Sequence, residues 1–200
     1  QITYQEQKTY FDVLRLTVDD KYSWDFAMLG VGLRYINGVG KPDMLHYVES
    51  FGMEGHYDFA SNRGYIWSRT FPLLKRALLL GVGRDNFAYA FPNDDYVGKV
   101  NCGFNEQIVT KPHNMYLQIW VQDGLPALLA FLALYLLLFG RTIRKCFKKG
   151  KWNHSQKISL AFLCGVSGYF VAGLANDSSI CVAPVFWGLF GVAFAVLRSE

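Results

Sequence analysis

The spacing of apolar positions changes character three times along the chain. Phe11-Asp12-Val13-Leu14-Arg15-Leu16-Thr17-Val18 is β-branched and roughly alternating, and Asp19-Asp20 reads as the turn that follows it. Trp24 to Tyr35 is a second, aromatic-rich run in which Gly30 and Gly32 mark bulges or bends. Asn37-Gly38 and Gly40-Lys41-Pro42 then punctuate the chain. Residues 10–50 therefore predict a small antiparallel sheet, too short to bury a large core alone. Residues 43–60 read as irregular or weakly helical. From Tyr65 to Leu80 the apolar positions Ile66, Leu73, Leu74, Ala77, Leu78 and Leu80 favour a helix. Pro72 permits a kink there, and Gly81-Val82-Gly83 ends it. Residues 81–111, with Phe87, Tyr89, Phe91 and Tyr96 interleaved among Asn93-Asp94-Asp95, read as a long loop too aromatic for disorder.

After Asn114, a plausible N-cap, the pattern becomes continuously apolar. Gly124 to Phe139 is a 16-residue run without a charge. Counted with its amphipathic lead from Met115, the helix reaches about 25 residues, enough to cross a bilayer with tilt. Ile158 to Ala175 predicts a second span and Ile180 to Leu197 a third, joined by the turn Asn176-Asp177-Ser178-Ser179. Gly165, Ser167, Gly168, Ala172 and Gly173 supply a small-residue face of the kind that lets membrane helices approach closely. The fold expected is a polytopic α-helical membrane protein with three transmembrane helices. Its outer part carries a small antiparallel β-sheet and amphipathic helices.

Composition and charge give this picture a direction. Apolar residues make up 52% of the chain and mean hydropathy is positive, with the excess concentrated in the C-terminal 80 residues. Residues 1–120 carry 12 Lys/Arg against 13 Asp/Glu, whereas 141–157 carry seven basic residues and no acidic one. A basic stretch between two apolar spans is read as a cytoplasmic loop, not a nucleic-acid patch. Residues 1–122 and the turn at 176–179 are then outside. The domain plan is an extracellular β-containing insertion (1–60), an extracellular loop region (61–122), spans at 123–140, 158–175 and 180–197, a cytoplasmic loop (141–157) and an outer turn (176–179). The chain begins with Gln1 and its first span comes late, so a C-terminal fragment of a longer polytopic protein is expected. Cys102, Cys146, Cys164 and Cys181 have no CxxC spacing and predict neither a disulfide framework nor a zinc site.

Candidate chemistry gathers in 61–123. Arg63, Arg69, Lys75, Arg76, Arg84 and Lys111 are fixed cations there, and an arginine fork at a membrane surface suits a phosphate or pyrophosphate. The same residues could snorkel towards headgroups or pair with Asp85, Asp94 and Asp95. His113 stands between Pro112 and Asn114, just above the first span, where it could serve as general base, as hydrogen-bond donor, or as a cap. His46, His56 and His154 share no ligand spacing with it, so no metal is indicated. Tyr65, Trp67, Phe87, Tyr89, Phe91, Tyr96, Tyr116 and Trp120 could stack on sugars or form an interfacial aromatic belt.

Three ordered motifs resemble the integral-membrane O-antigen ligase and O-antigen polymerase superfamily, whose polymerase members build capsular and exopolysaccharides. They are Ser61-Asn62-Arg63-Gly64-Tyr65-Ile66-Trp67, Leu80-Gly81-Val82-Gly83-Arg84-Asp85-Asn86-Phe87 and Lys111-Pro112-His113-Asn114-Met115-Tyr116-Leu117-Gln118, continued by Gly124-Leu125-Pro126. The resemblance implies a glycosyltransferase in the bacterial cytoplasmic membrane, acting on its outer face. It implies a polyprenyl-pyrophosphate-linked glycan as donor, a glycan hydroxyl as acceptor, and no metal, nucleotide or other cofactor. Arg63 is then expected to hold the pyrophosphate and His113 to activate or orient the acceptor. Arg69, Arg84, Lys111, Asn114, Trp67 and Tyr116 are further candidates for substrate binding. The family's further essential arginine lies on an earlier membrane segment, so these 200 residues are expected to hold an incomplete site and to be inactive alone. Two alternatives stay open: a relative that glycosylates protein side chains with the same site, and a non-catalytic membrane protein that binds a partner or a glycan.

Overall fold

The computed structural model describes residues 12–18, 22–38, 40–103, 107–147 and 152–198, and its chain divides into two compact units. The expected turn at Asp19-Asp20, the strand start at Phe11 and the basic residues Lys148, Lys149 and Lys151 lie outside the described residues.

One unit comprises Gln1–Val48 and Asn93–Ile108. Strands β1 (Asp12–Val18), β2 (Tyr22–Leu29), β3 (Gly32–Ile36) and β4 (Pro42–Asp43) form an antiparallel sheet in that order. The predicted single run from Trp24 to Tyr35 is two strands, because Gly30-Val31 closes a hairpin in which Leu29 faces Gly32. Cross-strand pairs Leu14↔Phe26, Leu16↔Trp24 and Phe26↔Tyr35 place the aromatics on one face. On the other face Arg15 donates two bonds to Asp25, at 2.7 and 2.8 Å. A six-residue helix lies within what the sequence suggested was loop. This element, which we number α3 in chain order (Tyr96–Asn101), is nucleated by Asp95, whose carboxylate accepts from the Gly98 N–H. The Tyr96 hydroxyl donates to Asp43 at 2.6 Å and holds that carboxyl below its ordinary pKa. Lys99 is buried, which pushes its ammonium pKa down, and its Nζ donates to the Asn93 carbonyl.

The other unit comprises Glu49–Pro92 and Val109–Glu200. It holds α1 (Phe59–Arg76), the single turn α2 (Phe87–Ala90), α4 (Met115–Asp123), α5 (Leu125–Cys146), α6 (His154–Ala172) and α7 (Ala183–Arg198). Pro72 sits inside α1 without ending it. A proline cannot bond the carbonyl four residues back, and that carbonyl, Ser68, instead accepts the Phe51 N–H at 2.8 Å.

The helix expected to run unbroken from Met115 through Phe139 is two helices. Gly124 adopts φ +93°, ψ 165°, a conformation essentially confined to glycine, and Pro126 follows as a helix-start residue. The break lets residues 78–83 lie against the elbow. Val82 N–H donates to Val121, Gly83 N–H to Gln122, and Leu125 N–H to Leu78. A Cβ at Gly81 would run into the Gln122 carbonyl, and one at Gly124 into the Leu79 carbonyl. The Gly81-Val82-Gly83 and Gly124-Leu125-Pro126 motifs are thus two halves of one backbone clasp. Gly124→Ala should lower stability by about 1–3 kcal/mol. Thermal melting of the detergent-solubilised protein checks this, and an unchanged Tm would contradict the clasp.

Helix α5 has 22 residues and ends in the basic segment, past the expected boundary at 140. At 1.5 Å per residue it spans about 33 Å. Among the described residues it is the one helix long and apolar enough to cross a membrane; α7, at 16 residues, is apolar but shorter. Helices α5, α6 and α7 bury one aromatic core, with Phe131 stacked on Phe170 (4.7 Å), Tyr135 on Phe170 (4.1 Å) and Tyr169 on Phe186 (4.0 Å). Their other faces expose Leu136, Leu137, Val171, Val185 and Val192. The expected small-residue face is only partly used. Gly173 packs on Met115 and Ser167 bonds Tyr135, whereas a Cβ at Gly165 or Gly168 would meet only open space.

Candidate active site

The N-terminal end of α4 and the segment that follows α6 are tied together by polar bonds, and His113 sits on the knot. Asn114 is the N-cap the sequence suggested: its Oδ1 accepts from the Tyr116 and Leu117 N–H groups. Its Nδ2 donates to the Leu174 carbonyl and its backbone N–H to Asp177 Oδ1. The second oxygen of Asp177 lies 2.9 Å from His113 Nδ1. The Asp177 side chain is 9% exposed and that of His113 is 49% exposed, so a buried carboxylate backs a half-exposed imidazole. An Nδ1–H donated to Asp177 leaves Nε2 as the free acceptor of the neutral ring, turned away from the carboxylate. His113 has φ +52°, a left-handed conformation that costs a non-glycine residue about 1 kcal/mol.

Arg63 opens the regular part of α1, directly after Ala60, Ser61 and Asn62, all three left-handed at φ 51–67°. Three such residues in a row store strain, which gathers where function needs a fixed shape. Arg63 Nη1 donates to the Ala60 carbonyl at 3.0 Å. Its Nε is buried with no hydrogen-bond partner among the described residues. Gly64 is required next to it, because a Cβ there would strike the His56 carbonyl.

One turn further along α1, Trp67 Nε1 donates to the Pro112 carbonyl at 2.8 Å. Pro112 is fully buried and immediately precedes His113. Residues 45 apart in sequence are joined there, and the bond ties α1, which also carries Arg63, to the peptide before His113.

The remaining candidates are placed differently. Arg69 is buried between the Tyr57 and Tyr65 rings, 4.9 and 4.6 Å from their centroids, and donates to Ser68 Oγ. Arg84 is exposed and pairs with Asp123 at 3.0 Å. The Tyr116 hydroxyl donates to the Phe170 carbonyl at 2.6 Å. Lys111 is exposed. Beside the His113 knot a groove of about 630 Å³ descends from Arg84, Gln118, Gln122 and Ser178 to Phe131, Leu134 and Trp187; its lining includes neither Arg63 nor His113. Sequence reasoning missed Asp177. The signal available was its position as the one acidic residue in the polar turn between two apolar runs.

A half-exposed imidazole backed by a buried carboxylate can take a proton from a hydroxyl, and an arginine with a spare donor can hold an oxyanion. Each of these groups is of a kind that group transfer uses. Residues 23–132, more than half of the chain, match the family model described as O-antigen ligase, and the chain belongs to the O-antigen ligase family. This is a bacterial membrane protein family with glycosyltransferase-like ligase activity. Neither the curated proteins nor the solved structures contain a match to the chain.

Proposed function

We propose that the chain carries part of the active site of a membrane glycosyltransferase, a polymerase or ligase that moves a glycan from a polyprenyl pyrophosphate to a sugar hydroxyl. The residues concerned face the outer side of the bacterial cytoplasmic membrane, with α5, α6 and α7 as its spans. The observation that carries this reading is the His113–Asp177 pair, in which a buried carboxylate backs a half-exposed imidazole, in a chain of this family.

The acceptor hydroxyl meets His113 Nε2, which takes its proton as the oxygen attacks the anomeric carbon. The bond from that carbon to the pyrophosphate oxygen breaks, and its electron pair leaves with the pyrophosphate. Asp177 stabilises the imidazolium that forms. Arg63, with Nε and the second terminal nitrogen to offer, receives the charge that builds on the leaving group. Lys111, exposed two residues before His113, adds a cation at the same rim. Pyrophosphate is already a good leaving group, so the transfer needs no nucleotide.

Lipid-linked oligosaccharides extracted from a strain lacking the protein test this directly. Accumulated single repeat units identify a polymerase and accumulated complete chains a ligase. An unaltered lipid-linked pool, with normal cell-surface glycan, would overturn the assignment.

A further inference from the structure

Trp67 has an obvious use in a glycan enzyme, as a platform for a sugar ring. The structure gives it another. Its indole N–H, the one polar group it has, is committed to the Pro112 carbonyl at 2.8 Å. From this geometry we infer that Trp67 is a positioning residue for transfer: it holds the Pro112–His113 peptide in the plane that keeps His113 left-handed and on Asp177. The inference rests on His113 being the group that activates the acceptor.

The physical case starts from the peptide plane. A donor on the Pro112 carbonyl fixes the orientation of the whole 112–113 peptide, and so ψ of residue 112 and φ of His113. His113 is a non-glycine residue at φ +52° and gains by relaxing to negative φ. That relaxation swings Cα–Cβ and carries Nδ1 off the carboxylate that lies 2.9 Å away. Two contacts resist it from opposite sides, Asp177 on the ring and Trp67 on the preceding carbonyl. Asp177 is itself held by the Asn114 N–H. Trp67 is the contact that comes from α1, on a regular helical stretch that places Arg63 one turn away, about 6 Å along the axis. The same hydrogen bond therefore sets the histidine's aim and its register to the arginine's helix. Phe59, with its ring 6.1 Å from that of Trp67, packs beside the indole.

The test uses the intact protein in membranes, supplied with lipid-linked repeat units. Trp67→Phe removes the N–H and keeps most of the apolar volume. Trp67→3-benzothienylalanine keeps the bicyclic shape and replaces N–H by sulfur, and serves if the phenylalanine variant does not fold. Either should lower kcat about 10- to 100-fold with donor and acceptor KM within about twofold, the pattern of a misaimed group and not of a lost sugar contact. Combining Trp67→Phe with Asp177→Asn should cost little beyond Asp177→Asn alone, since both act through His113. A folded variant with wild-type kcat, a loss seen in KM alone, or losses that multiply in the double variant would each overturn the inference. If His113→Ala itself retained wild-type transfer, the reading of the site would fall, a result separate from any of these.

Discussion

Membranes carrying His113→Ala should transfer glycan about 10²- to 10⁴-fold more slowly than wild type, the span expected when a positioned base is removed. The protein should remain inserted and folded. His113→Gly is the better variant for that comparison, because glycine adopts φ +52° without strain, so its fold is at least as well accommodated while the imidazole is gone. Asp177→Asn should lie in the same range despite its conservative shape. Asp177 takes the His113 Nδ1–H on one oxygen and the Asn114 N–H on the other. An asparagine has one oxygen for the two donors. Either its amide faces the Asn114 N–H and the turn opens, or it faces Nδ1, which must then accept, and the proton moves to Nε2 where it blocks the acceptor. Initial rates on lipid-linked repeat units, normalised to protein in the membrane, check both variants. Product formed at close to the wild-type rate by His113→Gly would end the general-base role.

The parts of this architecture legible from sequence are those written in local chemistry. The N-cap at Asn114, the β character of residues 12–36 and the apolar run opening at Gly124 each depend on a few neighbouring residues, whereas the helix expected to run to Gly81-Val82-Gly83 already ends at Arg76. The Met115–Phe139 helix failed as a single element for a non-local reason: its break at Gly124 accommodates the backbone of residues 78–83. The helix at Tyr96–Asn101 is too short to show a period in the sequence, although its Asp95 cap and Gly98 stand only three residues apart. At the site, Arg63 and His113 stood out by residue type and motif. Asp177 did not, because nothing local says that a polar turn 64 residues away supports a histidine. Trp67 reads from sequence as a stacking ring, whereas in the structure its N–H bonds the Pro112 carbonyl. Arg69, which looked like another phosphate ligand, is wedged between two tyrosines. Cations in a stretch of sequence are interchangeable until burial separates them.

That separation leads to the second large effect, at Arg63. Its guanidinium is fixed on one side by the Ala60 carbonyl, itself part of a strained left-handed run, and keeps a buried Nε without a partner among the described residues. A buried donor left unpaired costs about 1–3 kcal/mol, so the arrangement stores the energy that an arriving oxyanion releases. Arg63→Ala should therefore lower transfer about 10²- to 10³-fold, the usual loss for one oxyanion-stabilising donor. The effect should divide between the two kinetic constants. The donor's ground-state phosphates meet the guanidinium too, so donor KM rises; the larger part falls on kcat, because charge on the leaving oxygens grows as the glycosidic bond opens. Arg63→Lys keeps the charge yet should rescue little. An ammonium is a point donor that cannot hold Ala60 and present a second planar face to phosphate at once. Acceptor KM should stay unchanged in both variants, since the proposed mechanism gives the acceptor to His113. Steady-state kinetics with donor and acceptor varied separately decide the matter. A rise in acceptor KM with donor KM untouched would place Arg63 on the wrong substrate, and lysine restoring full activity would reduce its role to charge alone.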